Sequence, residues 1–174
     1  MENSIILEVL NLVHAEELLK LHIQNRKFLE PWEPKRSNEF YTLKGQQEAI
    51  TRSVAAYQAE TDIPFVILKD QKIVGTMNIS GIVKGVFESC NIGYWVSEEH
   101  LGQGIASKAV KLVKCIVFKE LKLHRIQAGT LPNNLASQKV LIKNGFSRYG
   151  YAPNYLKING KWQDHILFQL INEK

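Results

Sequence analysis

The sequence is poor in the features that mark membrane, secreted and fibrous proteins. It has two cysteines, Cys90 and Cys115. Two thiols build no disulfide framework and cannot by themselves complete a zinc site. Proline is scarce at 5 and glycine modest at 11 of 174 residues, which excludes collagen-like and low-complexity chains. No apolar run approaches the ~20 residues that span a bilayer. The opening Met1-Glu2-Asn3-Ser4-Ile5 lacks the basic stretch that begins a secretory signal. Like charges never cluster into a run of five, although Lys and Arg number 22 against 17 Asp and Glu. A net charge of +5 that is so scattered does not suggest direct nucleic-acid binding, which usually gathers basic groups on one face. No histidine pair has zinc spacing, so no metal is expected. These absences predict a soluble, reduced, cytoplasmic protein with no membrane association.

What is present is an ordinary globular balance, 45% hydrophobic and 22% charged. The chain shows no repeat or Gly/Ser linker, so residues 1–174 read as one domain. Residues 5–10 suit a strand. Ala15, Leu18, Leu19 and Ile23 recur at helical spacing and predict a helix over 13–26. Pro31 and Pro34 make a helix over 28–34 improbable. Residues 43–59 read as a second helix. Strands over 65–68 and 73–79 flank a polar connection that suggests a hairpin. A third strand is expected over 86–96. Residues 106–121 put Lys108, Lys111 and Lys114 on one side and Ala109, Val110, Val113, Ile116 and Val117 on the other, which is an amphipathic helix. A strand over 125–130 and a helix over 134–144 follow, the helix ended by Gly145. Strands over 146–152 and 165–170 close the chain, with Asn159-Gly160 as a tight-turn signal between them. The order predicts an α/β fold: an antiparallel meander, one parallel pair across the helix at 106–121, and helices covering a mixed sheet.

Residues 91–107 are the most informative. A strand enters a loop containing Gly102 and Gly104, and the loop enters a helix. Glycines let a backbone approach a ligand closely. A helix start offers unpaired amides and partial positive charge. Together they suit a phosphate or pyrophosphate. Alone, Gly102-Gln103-Gly104 fits a plain turn before a helix equally well. It lacks the end of a P-loop and the third glycine of a dinucleotide fingerprint.

In its wider context the loop resembles motif A of the GNAT superfamily of N-acetyltransferases, Gln/Arg-x-x-Gly-x-Gly/Ala. Gly104 and Ala106 fill the last two defined positions, and Leu101 stands where Gln or Arg is usual. That departure costs one side-chain contact but no backbone amide. The resemblance continues through residues 123–128, 133–137, 143–146 and 155–165. Residues 28–34 look like the early loop of the branch that acetylates N-terminal amines of ribosomal proteins. The resemblance implies a GNAT fold, with a mostly antiparallel sheet holding a splayed parallel strand pair between flanking helices. It also implies acetyl-CoA as cosubstrate. Backbone groups of Tyr94, Trp95 and Val96 would bind the pantetheine arm. Amides of Gly102, Gln103, Gly104, Ile105, Ala106 and Ser107 would hold the pyrophosphate. Asn134 and Ser137 match the Asn-x-x-Ser motif, with Asn134 bonding the pantetheine or thioester region and Ser137 near the sulfur. A homodimer is a further expectation from the resemblance.

The implied reaction is direct attack of a neutral amine on the thioester. Holding the two together supplies much of the rate. A fixed amide, that of Val96, would stabilise the carbonyl oxygen. Ser137 is the expected acid toward the thiolate, with Tyr155 and Tyr151 as alternatives. A helical serine bonding its own backbone, and a tyrosine in a core or lid, are the plain structural readings. Gln127 stands where relatives often carry Glu, and an amide takes no proton. Glu88 is then the candidate base, acting through water, unless it is simply an exposed strand-end carboxylate, and the remaining alternative is that no dedicated base exists and solvent takes the proton. Glu33 would bind a cationic amine, and Trp32, fixed between prolines, would wall the amine site or plug the sheet. Asp164 either contributes to the site or holds the final hairpin. Trp95 and Trp162 are core residues or site walls. His14 and His22 are expected as surface or boundary groups, His100 in contact with phosphate or only with solvent, and His124 and His165 beside strands. Cys115 is expected in the core.

Three functions compete. A protein N-terminus as acceptor calls for an open groove between residues 28–34 and the last hairpin. A small amine, such as a polyamine, amino-acid derivative or antibiotic, calls for a closed pocket lined by several carboxylates. A non-catalytic acyl-CoA-binding module would bind the cofactor without turnover.

Overall fold

The structure, a computed structural model, describes residues 4–173. Seven strands form one sheet: β1 (Ile5–Val9), β2 (Ile63–Lys69), β3 (Lys72–Val83), β4 (Ser89–Val96), β5 (Arg125–Thr130), β6 (Ser147–Ile158) and β7 (Lys161–Ile171). Their order is β1-β2-β3-β4-β5-β7-β6, and only β4 and β5 run parallel. The connections that need φ > 0 carry residues able to supply it. Asn159 and Gly160 both have positive φ between β6 and β7, and Asp70 and Gln71 do the same between β2 and β3.

Helices α1 (Ala15–Gln24), α2 (Arg26–Leu29) and α3 (Leu43–Gln58) precede the meander, while α4 (Ile105–Cys115) and α5 (Leu135–Lys143) follow β4 and β5. The sheet is buried on both faces. On one side Ala109, Val110 and Val113 of α4 and Leu141 of α5 pack on Ile92, Val96, Ile126 and Phe168. On the other, Ala15, Leu18 and Leu21 of α1 and Ile50 of α3 pack on Val66 and Ile73, with Trp95 against them. Side chains alternate along β4, so Tyr94 and Val96 face α4 and α5 while Gly93 and Trp95 face α1 and α3.

The parallel pair holds only from Ser89↔Arg125 to Asn91↔Gln127. Beyond that β4 and β5 diverge. The Ser97 amide bonds Val74 O on β3. Amides alternate along an extended strand, so those of Tyr94 and Val96 point to the diverging side and have no strand partner.

Several expectations need adjustment. Residues 86–88 are a turn rather than strand, and Glu88 has φ +40. Phe28 and Leu29 do form one helical turn, which ends before Pro31, so the prolines stop the helix instead of excluding it. The helix expected to reach 121 changes to a π turn over Ile116–Glu120. The closing strands are longer, reaching Ile158 and starting at Lys161. Cys115 is exposed and Cys90 is the buried thiol, because α4 buries the 109–113–117 stripe and turns position 115 away.

Candidate active site

A cavity of about 910 Å³ passes through the divergence of β4 and β5 and reaches both faces of the sheet. Its α4/α5 side is lined by Gly102, Gly104, Ile105, Ala106 and Ser107, together with Asn134 and Ser137. Gly102 and Gly104 have φ +76 and +73, and a Cβ at either would meet nothing within 4 Å. They are needed for backbone conformation, and the space before them is open. Gly104 is the N-cap of α4, and no side chain caps that helix. By contrast, Thr42 caps α3 and Asn134 caps α5. Of α4 and α5, the two helices whose first residues line the cavity, α4 is thus the one that leaves its amides open to an anion. The Gln103 side chain turns away, accepting from Lys69 Nζ at 2.7 Å and donating to Glu99 O, so only its backbone can serve the loop. Ser107 Oγ accepts from the buried Asn144 amide at 3.0 Å and ties α4 to α5.

Asn134 Oδ1 accepts the Ser137 amide at 3.1 Å, which leaves its NH₂ group to face the cavity. The Tyr94 hydroxyl lies 3.0 Å from Ser137 Oγ and 3.3 Å from Ser137 O. Burial pushes the Tyr94 pKa up to about 12, so this hydroxyl remains a proton donor at neutral pH. Thr130 Oγ1 lines the same side and is buried without a partner. Thr130→Val removes that unpaired hydroxyl at constant shape. It is expected to raise the ligand-free unfolding free energy by about 1 kcal/mol, read by urea titration.

The α1/α3 side holds Trp32, Glu33, Arg36, His22 and Trp95. Glu33 is half-buried and sits 3.7 Å from Arg36 Nε. Burial raises its pKa, and the Arg36 charge offsets part of the rise. Glu33 is the only carboxylate among the described residues lining the cavity. The early loop does not stand apart from the last hairpin, because Asn159 N bonds Glu33 O at 2.8 Å. Beside that bridge, Gly129, Tyr155 and Leu156 remain exposed.

Some expected site residues are elsewhere. Glu88 lies at the start of β4, roughly 25 Å along the strand from the glycine loop at 3.3 Å per residue. There its carbonyl accepts the amides of His124 and Arg125, and its side chain is exposed outside the cavity. Gln127 donates to Tyr149 and accepts from Ser89, so it is occupied. Tyr151 donates to Asp164, which also accepts the Asn154 amide, so both hold the final hairpin. Tyr155 does not line the cavity but lies with its ring tilted against His165, centroids 5.5 Å apart, and His165 does line it. Trp162 is 61% exposed and forms no wall.

The histidines depart most from expectation. His14 and His22 are buried, each at 8% exposure. His14 is absorbed by Glu8 and the Asn11 amide. His22 lies among Phe40 and Trp95, with ring centroids at 4.9 and 5.1 Å. Burial, with Arg36 nearby, lowers its pKa to about 4. The folded state then binds its proton later than the unfolded chain, so His22 stabilises fully above pH 6.5 and loses that contribution as pH falls toward 4. Between pH 6.5 and 4.5 the loss amounts to roughly 2–3 kcal/mol. Urea titrations across that range are expected to show it in the native protein and not in His22→Phe. Helical periodicity alone could have found His22, since it falls one residue after the buried Leu21 and four after Leu18.

Residues 4–147 match the family model of the acetyltransferase (GNAT) domain. The chain is 38% identical over 97% of its length to "Probable N-acetyltransferase YjcK" of Bacillus subtilis, covering 94% of that protein. It is 31% identical to the ribosomal protein uS5-alanine N-acetyltransferase of Escherichia coli, over 93% of this chain and 86% of that one. Among solved structures, the ribosomal-protein-S5-alanine acetyltransferase of Vibrio fischeri superposes with a TM-score of 0.92 at 35% identity, over 100% and 96% of the two chains. RimJ of Mycobacterium smegmatis, solved with a CoA disulfide, gives 0.94 at 30% identity, over 97% and 82%. With a splayed parallel pair, an uncapped glycine-led helix beside it and matches across nearly its whole length, the chain belongs to the GNAT acetyltransferase family and is an N-acetyltransferase.

Proposed function

We propose that the protein transfers acetyl from acetyl-CoA to the N-terminal α-amine of a protein, with an alanine- or serine-starting ribosomal protein as the acceptor class. The observation that carries this reading is Glu33, the lone carboxylate among the described residues lining the cavity, on a wall it shares with Trp32, Trp95, His22 and Arg36. One carboxylate suits one ammonium group. A polyamine or aminoglycoside carries several cations and would need several carboxylates. The exposed edge at Gly129, Tyr155 and Leu156 gives the rest of a peptide a way out. The relatives named for ribosomal-protein alanine acetylation support the same class.

In this reading the cofactor lies on the α4/α5 side. The α4 amides from Ile105 to Ser107 take the pyrophosphate, and the pantetheine runs along Tyr94, Trp95 and Val96 in place of the missing β5 ladder. The Asn134 NH₂ group meets the thioester region. The unpaired Val96 amide takes the carbonyl oxygen as it gains charge. The Tyr94 and Ser137 hydroxyls lie 3.0 Å apart, and with Tyr94 as the donor the Ser137 proton is free for the departing thiolate. The amine enters from the opposite face, between Trp32, Glu33 and Trp95. A thiol-release assay over Ala- and Ser-starting peptides, polyamines and aminoglycosides tests the reading. Turnover on peptides is expected, and turnover confined to multivalent amines would refute it.

A further inference from the structure

Acetylation of an ammonium acceptor begins with loss of a proton, and among the described residues no carboxylate beside the splay is free to take it. Glu88 is at the far end of β4, Gln127 is an amide, Asp164 holds the hairpin and Glu33 leans on Arg36. We propose that His165 is the general base of this enzyme, with Nε2 as the accepting atom. The proposal rests on acetyl transfer to an amine, whichever amine that is.

His165 is 3% exposed and lines the cavity. Its Nδ1 lies 3.0 Å from Gln163 O. A carbonyl oxygen only accepts, so Nδ1 carries the ring proton and Nε2 carries the lone pair. No hydrogen bond joins Nε2 to any described residue. The ring stands at the splay because position 129 is glycine: a Cβ there would sit 3.4 Å from His165 Cδ2, the ring atom bonded to Nε2. Asn91 and Gln127 are paired in the parallel ladder, so Gly93, Trp95 and Gly129 share one face by alternation. That is the α1/α3 face, from which the amine approaches, opposite Tyr94 and Ser137. Tyr155 backs the ring from outside at 5.5 Å. The titratable neighbours are therefore Tyr155 on β6 and the adjacent Asp164 on β7, whose carboxylate is occupied by Tyr151 and Asn154. Of the other two cavity histidines, His100 sits in the loop before the glycines with Nδ1 3.4 Å from Ser97 Oγ and from Glu99 Oε1, and His22 is held neutral by burial and is the poorer base.

The step balances. Nε2 takes one proton from the ammonium, and the nitrogen lone pair forms the C–N bond to the acetyl carbonyl. The C–S bond breaks with its electron pair on sulfur. The thiolate is protonated by the Tyr94–Ser137 pair, which regains a proton from the nitrogen. The amide keeps the third proton, and the imidazolium returns the first to solvent.

The test is steady-state kinetics of the full chain with acetyl-CoA and an Ala-starting peptide, across about pH 5.5–9. His165→Gln is expected to lower kcat roughly 100-fold. Its calorimetric Kd for acetyl-CoA should stay within about twofold of the native value, since the cofactor lies on the other face. The acid-side fall of kcat should vanish in the variant, and added imidazole should restore turnover to His165→Ala. A His165→Gln kcat within about threefold of native overturns the proposal, as does a slow variant that keeps the native pH profile without imidazole rescue. A native kcat that is flat through the acid range overturns it even if the variants fail to fold. If only a small amine is turned over, the peptide reading fails and His165 is judged on that amine. If no amine is turned over, both fall.

Discussion

Gly104→Asp is expected to weaken acetyl-CoA binding at least about 100-fold while changing stability by no more than about 1 kcal/mol. The two effects separate because of where Gly104 sits. It is the N-cap of a helix that no side chain caps, with φ +73 and open space in front of it. An aspartate there loses about 1 kcal/mol to the left-handed backbone. It regains a comparable amount by accepting an α4 amide and complementing the helix dipole. The same carboxylate occupies the amides proposed for the pyrophosphate and repels it. At an effective dielectric near 20, like charges some 4–5 Å apart cost about 3–4 kcal/mol, more than a factor of 100 in Kd. Gly104→Ala is the control. It carries the same backbone cost without charge and should weaken binding by about tenfold at most. Calorimetry of acetyl-CoA binding and urea unfolding of both variants check the result. Equal loss of binding in the two would mean that loop shape, not anion charge, governs the site.

The second large effect belongs to the Tyr94–Ser137 couple. Ser137→Ala is expected to lower kcat about 100-fold with acetyl-CoA affinity little changed, because a proton donor to the thiolate acts after the cofactor is bound. Tyr94→Phe should cost a similar amount, since it removes the hydroxyl 3.0 Å from Ser137 Oγ. The double variant should be no slower than the worse single one, as expected of groups that act as a unit. The direction of the Tyr94 shift adds a pH signature. Burial raises its pKa to about 12, so the donor is protonated throughout the neutral range and supplies no basic limb there. Additive losses in the double variant would separate the two hydroxyls. Wild-type kcat in both singles would leave the thiolate to leave unassisted.

The parts of the site readable in the sequence are those made by neighbours in the chain. The glycine-led start of α4 is legible because Gly102, Gly104 and the apolar stripe at 109, 110, 113 and 117 lie within one short segment. Asn134 as the cap of α5, Gly145 beyond its end and Asn159-Gly160 as the last turn are legible for the same reason. Among the candidate catalytic groups, the expectations that fail concern residues whose meaning depends on a distant partner. Glu88 looked suitable because it precedes the strand leading to the loop, but a strand carries its two ends apart. Tyr151 and Asp164 are 13 residues apart and satisfy each other across the hairpin.

Local pattern therefore determined the order and type of nearly every element, the parallel crossover and the glycine turn before α4, because capping, periodicity and turn chemistry act over a few residues. Only the tertiary structure decided what the divergence of β4 and β5 brings together. It sets Tyr94 against Ser137 on one face, and Gly129, His165 and Trp95 on the other. It also gives His22 and His165 their buried surroundings. Desolvation and hydrogen-bond pairing are set by what folds over a group, and for these residues that comes from strands and helices far away in the chain.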